Sequence, residues 1–308
     1  MGKKFIIAVD LGGTNLKIAL LDSSCRIKLK KVLTTQSFSK KDDLIRAIVN
    51  AVSGILKVKK LKRSSISGVG LGVPGPVDHK NGIVHFFPNI RGWHEVRLKQ
   101  MLEKKLALPV LVDNDAKLMC LAEYALGNAR KSVNALCITL GTGIGGGLIV
   151  GGKLFRGLDN SAGEFGHLPI NEPGPHCNCG GTACIESYIG NKRLIKEAAK
   201  LFKRSMSLEE ISVLAGRGNK KAINFWKVAG IRLGRALVAV VNLLNLDCIV
   251  IGGGVASAGE VLLKHVRGTV KKDAMPVQAR RVKIMRAKLG NDAGIIGAAI
   301  MVKCERKI

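Results

Sequence analysis

The chain has 308 residues, of which 47% are hydrophobic and 4% aromatic, and it contains 37 glycines. This length accommodates two domains of ordinary size, and the apolar content excludes a disordered chain and is typical of a glycine-rich α/β enzyme. The formal net charge is +28, but the basic residues are spread along the sequence and are not interleaved with aromatic residues. We therefore interpret the charge as solvated surface and predict neither a nucleic-acid nor a membrane partner.

The N-terminal sequence and most of the cysteines indicate a cytoplasmic protein. An apolar run begins at Phe5 without the charged and apolar regions of a secretory signal peptide. Outside one cluster, the cysteines are scattered among apolar neighbours, which fits reduced, buried thiols better than a disulfide framework. They are Cys25, Cys120, Cys137, Cys248 and Cys304.

The first predicted element is a buried strand, residues 5–9, that ends at Asp10. The glycine turn Gly12-Gly13-Thr14 follows, and residues 16–21 form the partner strand. A carboxylate at this strand end can hold Mg²⁺ through water, while Thr14, the turn's backbone N–H groups and the nearby Lys17 are suited to phosphate oxygens.

A second strand end carries three consecutive polar residues, Asp113, Asn114 and Asp115, ahead of a predicted helix at 116–126. Asp and Asn are preferred at helix N-caps, which accounts for one of the three. Asp115 is suited to act as a general base that accepts a proton from an attacking hydroxyl group, with Asn114 orienting the reactants. We predict a hinge between domains near Ala116.

The pattern of strand, glycine turn and strand returns at residues 136–150, around Gly141-Thr142-Gly143. This turn matches neither a P-loop nor a Rossmann fingerprint. A third strand, 248–251, leads into Gly253 and Gly254 and a helix from Gly259. The repetition predicts a duplicated α/β core with one phosphate loop in each half. Apolar spacing predicts further helices at 42–57, 191–203, 222–244 and 294–302, the last returning to the first domain.

Between these elements lies a cluster with the spacing of a structural zinc site. His167, Cys177, Cys179 and Cys184 supply the four nitrogen and sulfur ligands of a tetrahedral zinc. His176 is an alternative fourth ligand, but its adjacency to Cys177 would strain the chelate, which favours His167. A bound metal would fix two flanking carboxylates, those of Glu164 and Glu186, relative to each other.

Together these motifs resemble the ROK family (repressors, open reading frames, kinases), and the resemblance covers nearly the whole chain. It rests on the motifs Asp10-x-Gly-Gly-Thr-x-x-Lys17, Gly70-x-Gly-x-Pro-Gly-Pro-Val-Asp78, Asn114-Asp115, Gly141-Thr-Gly-Ile-Gly-Gly-Gly147, Glu164-x-Gly-His167, Cys177-x-Cys-x4-Cys184 with Glu186, and Ile251-Gly-Gly-Gly254. It implies a duplicated ribonuclease-H-like, actin-like ATPase fold of the hexokinase type, with a cleft between two domains. The small domain would comprise residues 1–116 and a C-terminal helix at about 291–308, and the large domain residues 117–290 with a zinc knuckle at 167–184.

The resemblance also implies roles for individual residues. Asp115 is the catalytic base, and the sugar is held by Gly75, Asn89, Asn114, Asp115, Glu164, His167 and Glu186. The nucleotide is held by Asp10 (through Mg²⁺), Gly12, Gly13, Thr14, Lys17, Gly141, Thr142, Gly143, Gly253 and Gly254. His167 then has one ring nitrogen on zinc and the other facing the sugar. The implied cofactors are ATP, Mg²⁺ and structural Zn²⁺, and we expect a homodimer.

The implied activity is the ATP-dependent phosphorylation of a hexose, glucose above all, with domain closure excluding water. Three alternatives remain at this point. The acceptor is another hexose or 2-acetamido hexose (fructose, allose, N-acetylmannosamine or N-acetylglucosamine), the donor is polyphosphate, or the chain is a sugar-responsive repressor. Repressors of the family carry a DNA-binding helix-turn-helix before the first strand, whereas four residues precede Phe5 here.

Overall fold

A computed structural model describes residues 5–35, 38–87, 90 and 92–306. Its strands are β1 (Phe5–Leu11), β2 (Asn15–Asp22), β3 (Ile27–Thr34), β4 (Ile66–Val73), β5 (Val77–Asp78), β6 (Ile83–Phe86), β7 (His94–Val96), β8 (Val110–Asn114), β9 (Ala135–Leu140), β10 (Ile144–Val150), β11 (Lys153–Phe155), β12 (Cys248–Gly252) and β13 (Lys283–Arg286). Its α-helices are α1 (Lys41–Val58), α2 (Leu98–Leu106), α3 (Asp115–Leu126), α4 (Glu186–Ile189), α5 (Asn191–Phe202), α6 (Leu208–Gly216), α7 (Lys220–Leu244), α8 (Glu260–Asp273), α9 (Pro276–Arg281) and α10 (Ala293–Glu305).

The chain forms two compact units. Unit 1 comprises Met1–Ala125, Arg156–Ala162 and Asn291–Ile308, and unit 2 comprises Leu126–Phe155 and Gly163–Gly290. The division falls after Ala125, whereas the sequence indicated a position near Ala116, because α3 packs on the sheet and on α10 of unit 1. No helix in the described part of the chain is both long and apolar enough to cross a bilayer.

Unit 1 is built on a five-stranded sheet in the order β3-β2-β1-β4-β8. The first three strands form an antiparallel meander, and β1, β4 and β8 are parallel. Every residue of β4 is buried, as expected of a central strand covered on both faces. Gly70 of β4 makes this covering possible, because a Cβ there would lie 2.7 Å from the backbone carbonyl carbon of Ala298 in α10.

Unit 2 repeats this architecture. Its sheet has the order β11-β10-β9-β12-β13, again an antiparallel meander followed by two parallel strands. The long helix α7 begins at the N-cap Asn219 and carries the buried Trp226 into a core shared with α8. The same order of strands in both units is the duplication that the two glycine turns predicted.

Most predicted elements are present in the structure, with boundaries shifted by one to three residues. The sequence did not predict a small third sheet of β5, β6 and β7, whose strands are too short for apolar alternation to be visible.

Candidate active site

In unit 1, the parallel register brings three strand ends side by side. Asp10 of β1 is paired with Gly72 of β4, and Gly72 is paired with Asp113 of β8. The carboxyl ends of these parallel strands meet at one edge of the sheet. The Asn114-Asp115 pair therefore lies at the same edge as Asp10, two strands away.

Asn114 forms the N-terminal cap of α3. Its side-chain oxygen accepts hydrogen bonds from the backbone N–H groups of Ala116 (3.0 Å) and Lys117 (3.2 Å), and its side-chain nitrogen donates to the carbonyl oxygen of Gly75 at 3.1 Å. Asp115 accepts a hydrogen bond from the N–H of Ala116 at 2.8 Å. Asn114 and Asp115 are half-buried, so the two side chains are oriented by the helix start and still reach solvent.

The first glycine turn is fixed by Thr35. The hydroxyl group of Thr35 donates to the carbonyl oxygen of Gly12 at 2.9 Å, and its backbone N–H donates to the carbonyl oxygen of Thr14 at 2.8 Å. Gly13 and Thr14 are exposed. Their backbone N–H groups and the Thr14 hydroxyl are therefore accessible to an anion.

Lys17 pairs with Asp10 in the antiparallel register. Its ammonium nitrogen lies 3.1 Å from Asp10 Oδ2 and 2.7 Å from the carbonyl oxygen of Asn291. The predicted phosphate-binding lysine is thus held by a carboxylate and a carbonyl group of unit 1. Among the described contacts, Asp10 Oδ1 has no hydrogen-bond partner, and a carboxylate oxygen is the type of ligand that Mg²⁺ takes in nucleotide sites.

In unit 2, the second glycine turn lies beside the turn after β12. Gly252 is paired with Thr139, and Gly253 packs on the backbone of Leu140, directly before Gly141. Gly253 has φ +87°, and a Cβ on it would lie 2.6 Å from the Leu140 backbone carbon and nitrogen, so only glycine fits. The structure therefore brings the predicted phosphate turn and the predicted adenosine-binding glycines together.

Glu186 joins this turn to the knuckle. Its carboxylate accepts a hydrogen bond from the backbone N–H of Ile144 at 2.6 Å, and a Cβ on Gly143 would lie 2.5 Å from the same oxygen. A side chain at residue 143 would therefore displace the carboxylate from this position.

The knuckle itself brings its four predicted metal ligands together. The ligand atoms of His167, Cys177, Cys179 and Cys184 all lie within 4.8 Å of one another. His167 Nδ1 is 3.7 Å from Cys177 Sγ, and Cys179 Sγ is 3.7 Å from Cys184 Sγ. Zn–S bonds of about 2.3 Å in a tetrahedron separate sulfur atoms by about 3.8 Å. Both the donor set and the spacing fit zinc.

His176 stands apart from these four ligand atoms. Its Nδ1 lies 3.4 Å from the hydroxyl oxygen of Thr182 on the exposed side of the knuckle. The other ring nitrogen of His167 lies 4.0 Å from the carboxylate of Glu164, a half-exposed side chain. Of the two histidines, His167 is the one that the structure brings to the thiols, with its second nitrogen directed toward a predicted sugar ligand.

The thiols of the knuckle differ in acidity. Burial opposes ionisation of Cys177, but hydrogen bonds with the Cys179 backbone and with the Ser187 and His167 side chains lower its pKa to about 7. Burial and the neighbouring thiols raise the pKa of Cys184 to about 12. A metal ion would therefore find a thiolate more readily at Cys177 than at Cys184, from which it would displace a proton.

Contacts outside the metal ligands also anchor the knuckle, and the sequence pattern did not predict them. Glu172 pairs with Arg232, at 3.0 Å, and with Arg235, both on α7. The Arg232 guanidinium lies 4.7 Å from the ring centroid of Tyr188, whose hydroxyl donates to the carbonyl oxygen of Pro173 at 2.9 Å. These contacts fix the loop that precedes the cysteines. In the sequence, these contacts are indicated only by the spacing of Arg232 and Arg235, which places both on one face of a helix.

Two further residues that the sequence did not predict are Arg156 and Asn160, which bind Asp113 in unit 1.

Asn89, a predicted sugar ligand, lies outside the described residues. Gly75 has φ +84° and is packed against the carbonyl oxygen of Phe86, so its carbonyl group is held toward Asn114.

Known proteins match this chain over nearly its whole length. A model of the ROK family matches residues 6–305. A glucokinase from Halalkalibacterium halodurans is 35% identical over 318 residues, which cover 98% of this chain and 96% of that protein. A xylose repressor from Caldicellulosiruptor bescii is 28% identical over 310 residues, which cover 96% of this chain and 77% of the repressor.

Among solved structures, the crystal structure of a ROK family glucokinase from Streptomyces griseus, in complex with glucose and AMPPNP, matches with a TM-score of 0.82 and 31% identity. The match covers 96% of this chain and 98% of that one. It confirms the duplicated α/β fold of the hexokinase type that the sequence predicted.

Proposed function

The chain belongs to the ROK family, and we propose that it is a sugar kinase that transfers the γ-phosphoryl group of ATP to glucose. The observation that carries the proposal is the half-buried carboxylate of Asp115 at the carboxyl end of β8, oriented by the capped start of α3 and two strands from Asp10 and the first glycine turn. The glucokinases among the relatives support glucose as the acceptor.

Asp115 acts as the general base. It takes the proton of the glucose 6-hydroxyl group while that oxygen attacks the γ-phosphorus of ATP; the O6–P bond forms as the bond from the γ-phosphorus to the bridging oxygen breaks, and ADP leaves. Asn114 positions the sugar beside this carboxylate. Its side chain is well suited to that role because the α3 cap and the Gly75 carbonyl group already fix its orientation.

The remaining roles divide between the two units. Gly12, Gly13 and Thr14 of unit 1 and Gly141, Thr142 and Gly143 of unit 2 present backbone N–H groups to the phosphates, while Gly253 and Gly254 approach the adenosine. Asp10 would hold Mg²⁺, which supplies positive charge to the phosphates when bound. Glu164 and Glu186 accept hydrogen bonds from sugar hydroxyl groups. Zinc on the knuckle would hold His167 through Nδ1, so that its other ring N–H donates to a sugar oxygen.

Release of ADP in a coupled assay tests the donor and the acceptor together. We expect the highest kcat/KM with glucose when glucose, fructose, allose, N-acetylglucosamine and N-acetylmannosamine are compared. We also expect ATP to support turnover at least about tenfold faster than polyphosphate. The KM values should depend little on salt concentration, whereas a polyanion bound through many surface cations would be released by salt. Preference for a 2-acetamido hexose or for polyphosphate would overturn the corresponding assignment.

The substitution Asp115→Asn tests the base. It removes the base without changing the side-chain volume, so the rate should fall by roughly 10²- to 10⁴-fold while ATP binding persists. Asp273→Asn, at the exposed end of α8, is the control and should keep the parental rate. An Asp115→Asn enzyme that works within about threefold of the parent would rule out Asp115 as the base.

A further inference from the structure

Arg156 and Asn160 hold a fully buried carboxylate, that of Asp113, two residues before the proposed base. Asp113, with a side chain 0% exposed, accepts hydrogen bonds at Oδ2 from Arg156 Nη2 (2.7 Å) and Nε (3.2 Å). Its other oxygen accepts from Asn160 Nδ2 at 3.1 Å and from the backbone N–H of Asn114 at 2.8 Å. Both carboxylate oxygens are therefore fixed.

The segment that supplies these donors belongs to unit 1, although the residues before and after it belong to unit 2. Arg156–Ala162 forms a closed loop, in which the N–H of Ala162 donates to the carbonyl oxygen of Arg156 at 3.0 Å. Asn160 is 7% exposed and has φ +64°, and it also donates to the carbonyl oxygen of Val77 at 2.8 Å. A left-handed conformation of a residue other than glycine persists when the surrounding structure fixes it, and here the two side-chain bonds of Asn160 do so.

Stability alone is a poor explanation for this arrangement. An ion pair that includes a buried carboxylate gains little net free energy, because desolvation offsets most of the attraction between the charges. Such a pair does impose one geometry. Here the fixed carboxylate of Asp113 holds Asn114 through the N–H of Asn114. The side chain of Asn114 in turn holds the backbone of Ala116 and Lys117 through the helix cap. Asp115 lies between these fixed points.

We propose that Arg156 and Asn160 are positioning residues, which act through Asp113 to hold the strand end that carries Asp115 in its reactive orientation. The inference rests on the proposed function of Asp115 as the base. Displacing a reacting group by about 1 Å is enough to cost roughly 10²-fold in rate. Loss of the bonds to Asp113 should therefore lower kcat more than it changes the KM for ATP.

The test measures kcat and KM for Arg156→Met, which keeps an unbranched apolar side chain and removes the donors. Arg193→Met is the matched control, because Arg193 also pairs with a carboxylate, that of Glu197 at 3.0 Å, on the partly exposed helix α5. We expect Arg156→Met to lower kcat at least about tenfold, with the KM for ATP within about twofold of the parent value, and Arg193→Met to change neither.

A double-substitution cycle separates positioning from structural damage. In an Asp115→Asn background, Arg156→Met should change the residual rate by less than about twofold, because there is no base left to position. Equal losses in both backgrounds, or a loss no larger than that of Arg193→Met, would overturn the proposal. A fully active Asp115→Asn enzyme would instead refute the base itself, so the two failures are distinguishable.

Asn160→Gly provides a second variant if Arg156→Met does not fold. Glycine accepts the positive φ of this position, so the substitution removes the side-chain donor without backbone strain. The rate should fall about threefold or more in the parent and stay unchanged in the Asp115→Asn background, because a single neutral donor is lost. A parental kcat for Asn160→Gly would then decide against the proposal.

Discussion

The carboxylate of Glu186 is hydrogen-bonded to the backbone N–H of Ile144 at 2.6 Å. A predicted sugar ligand is therefore attached to the end of the predicted phosphate turn, Gly141–Gly143, within unit 2. Glu164 makes no such bond among the described contacts, and its side chain is 51% exposed. The two acidic residues should consequently differ in what their removal does to the enzyme.

Glu186→Ala should weaken the binding of both glucose and ATP, because it removes a sugar ligand and leaves the N–H of Ile144, beside the phosphate turn, without its acceptor. We expect the KM values for glucose and for ATP to rise roughly tenfold or more, as for the loss of a hydrogen bond to a charged group. Glu164→Ala should raise the KM for glucose alone. Steady-state kinetics with each substrate varied in turn distinguishes these results, and an unchanged KM for ATP in Glu186→Ala would contradict the coupling.

Zinc should be present at about one ion per chain and should resist mild chelation, because four protein ligands leave no open position. Cys179→Ser should lose the metal and weaken glucose binding together. The protein should remain folded, because Glu172 and Arg232 still anchor the loop to α7. Cys304→Ser is the control, because Cys304, which the sequence predicted to be buried, is exposed in the structure as Cys179 is. Elemental analysis that finds no zinc in fresh, fully active protein would refute the site.

Gly253 and Gly254 are neighbours with opposite tolerance to a side chain. Gly253→Ala would force a Cβ into the Leu140 backbone at a positive φ, at a cost of roughly 1–3 kcal/mol from the backbone strain alone. At Gly254 a Cβ would have no atom of the described residues within 4 Å, so Gly254→Ala is the matched control for stability. Urea unfolding should place Gly253→Ala well below the parent and Gly254→Ala close to it. Equal stabilities would show that the close approach is absent.

The ion pair between His79 and Glu305 should make the stability of unit 1 depend on pH. Burial lowers the pKa of His79, but the bond to Glu305, at 2.7 Å, and the charge of Asp113 outweigh it and raise the pKa above 6.5. The same bond lowers the pKa of Glu305 below 4.5.

The raised pKa of His79 and the lowered pKa of Glu305 confine the stabilisation by their ion pair to a window of pH. The contribution of His79 is complete below 6.5 and is lost as the pH rises through its higher folded pKa, while that of Glu305 is complete above 4.5 and is lost as the pH falls through its lower folded pKa. His79→Gln should therefore lower the melting temperature more at a pH of about 5.5 than at about 8.5. A loss that is equal at both pH values would indicate that the charge of His79 does not contribute.

The sequence predicted those parts of the fold and the candidate site that depend on local pattern. The apolar runs before Asp10 and Gly141 marked β1 and β9, and the regular spacing of apolar residues marked α7. The pairing of Lys17 with Asp10 could also have been predicted, because a hairpin centred on Gly13 and Thr14 sets these two residues opposite each other. The sequence analysis did not predict this ion pair. It assigned both residues to nucleotide binding, because a carboxylate and an ammonium group are each also suited to a magnesium–phosphate site.

Other features could not be predicted because their cause lies far away in the sequence. Arg156 is 43 residues from Asp113, and nothing in the residues around Arg156 signals that its loop belongs to the first unit. The short strands of the third sheet contain too few residues for a period to be recognised. A carboxylate at a strand end was visible in the sequence; the groups that orient it were not.

The return of α10 to the first sheet has a consequence for the order in which the protein folds during synthesis. Helix α10 packs on β1 and β4, and its first turn passes so close to Asp10 that a Cβ on Gly294 would lie 2.7 Å from the carboxyl carbon. Every residue of unit 2 leaves the ribosome before α10 does. Domains usually fold in the order of their translation. Here the synthesis of unit 1 begins first, but one face of β1 and β4 stays uncovered until α10 has been made. Unit 2, whose synthesis begins second, is therefore the first that can complete its core.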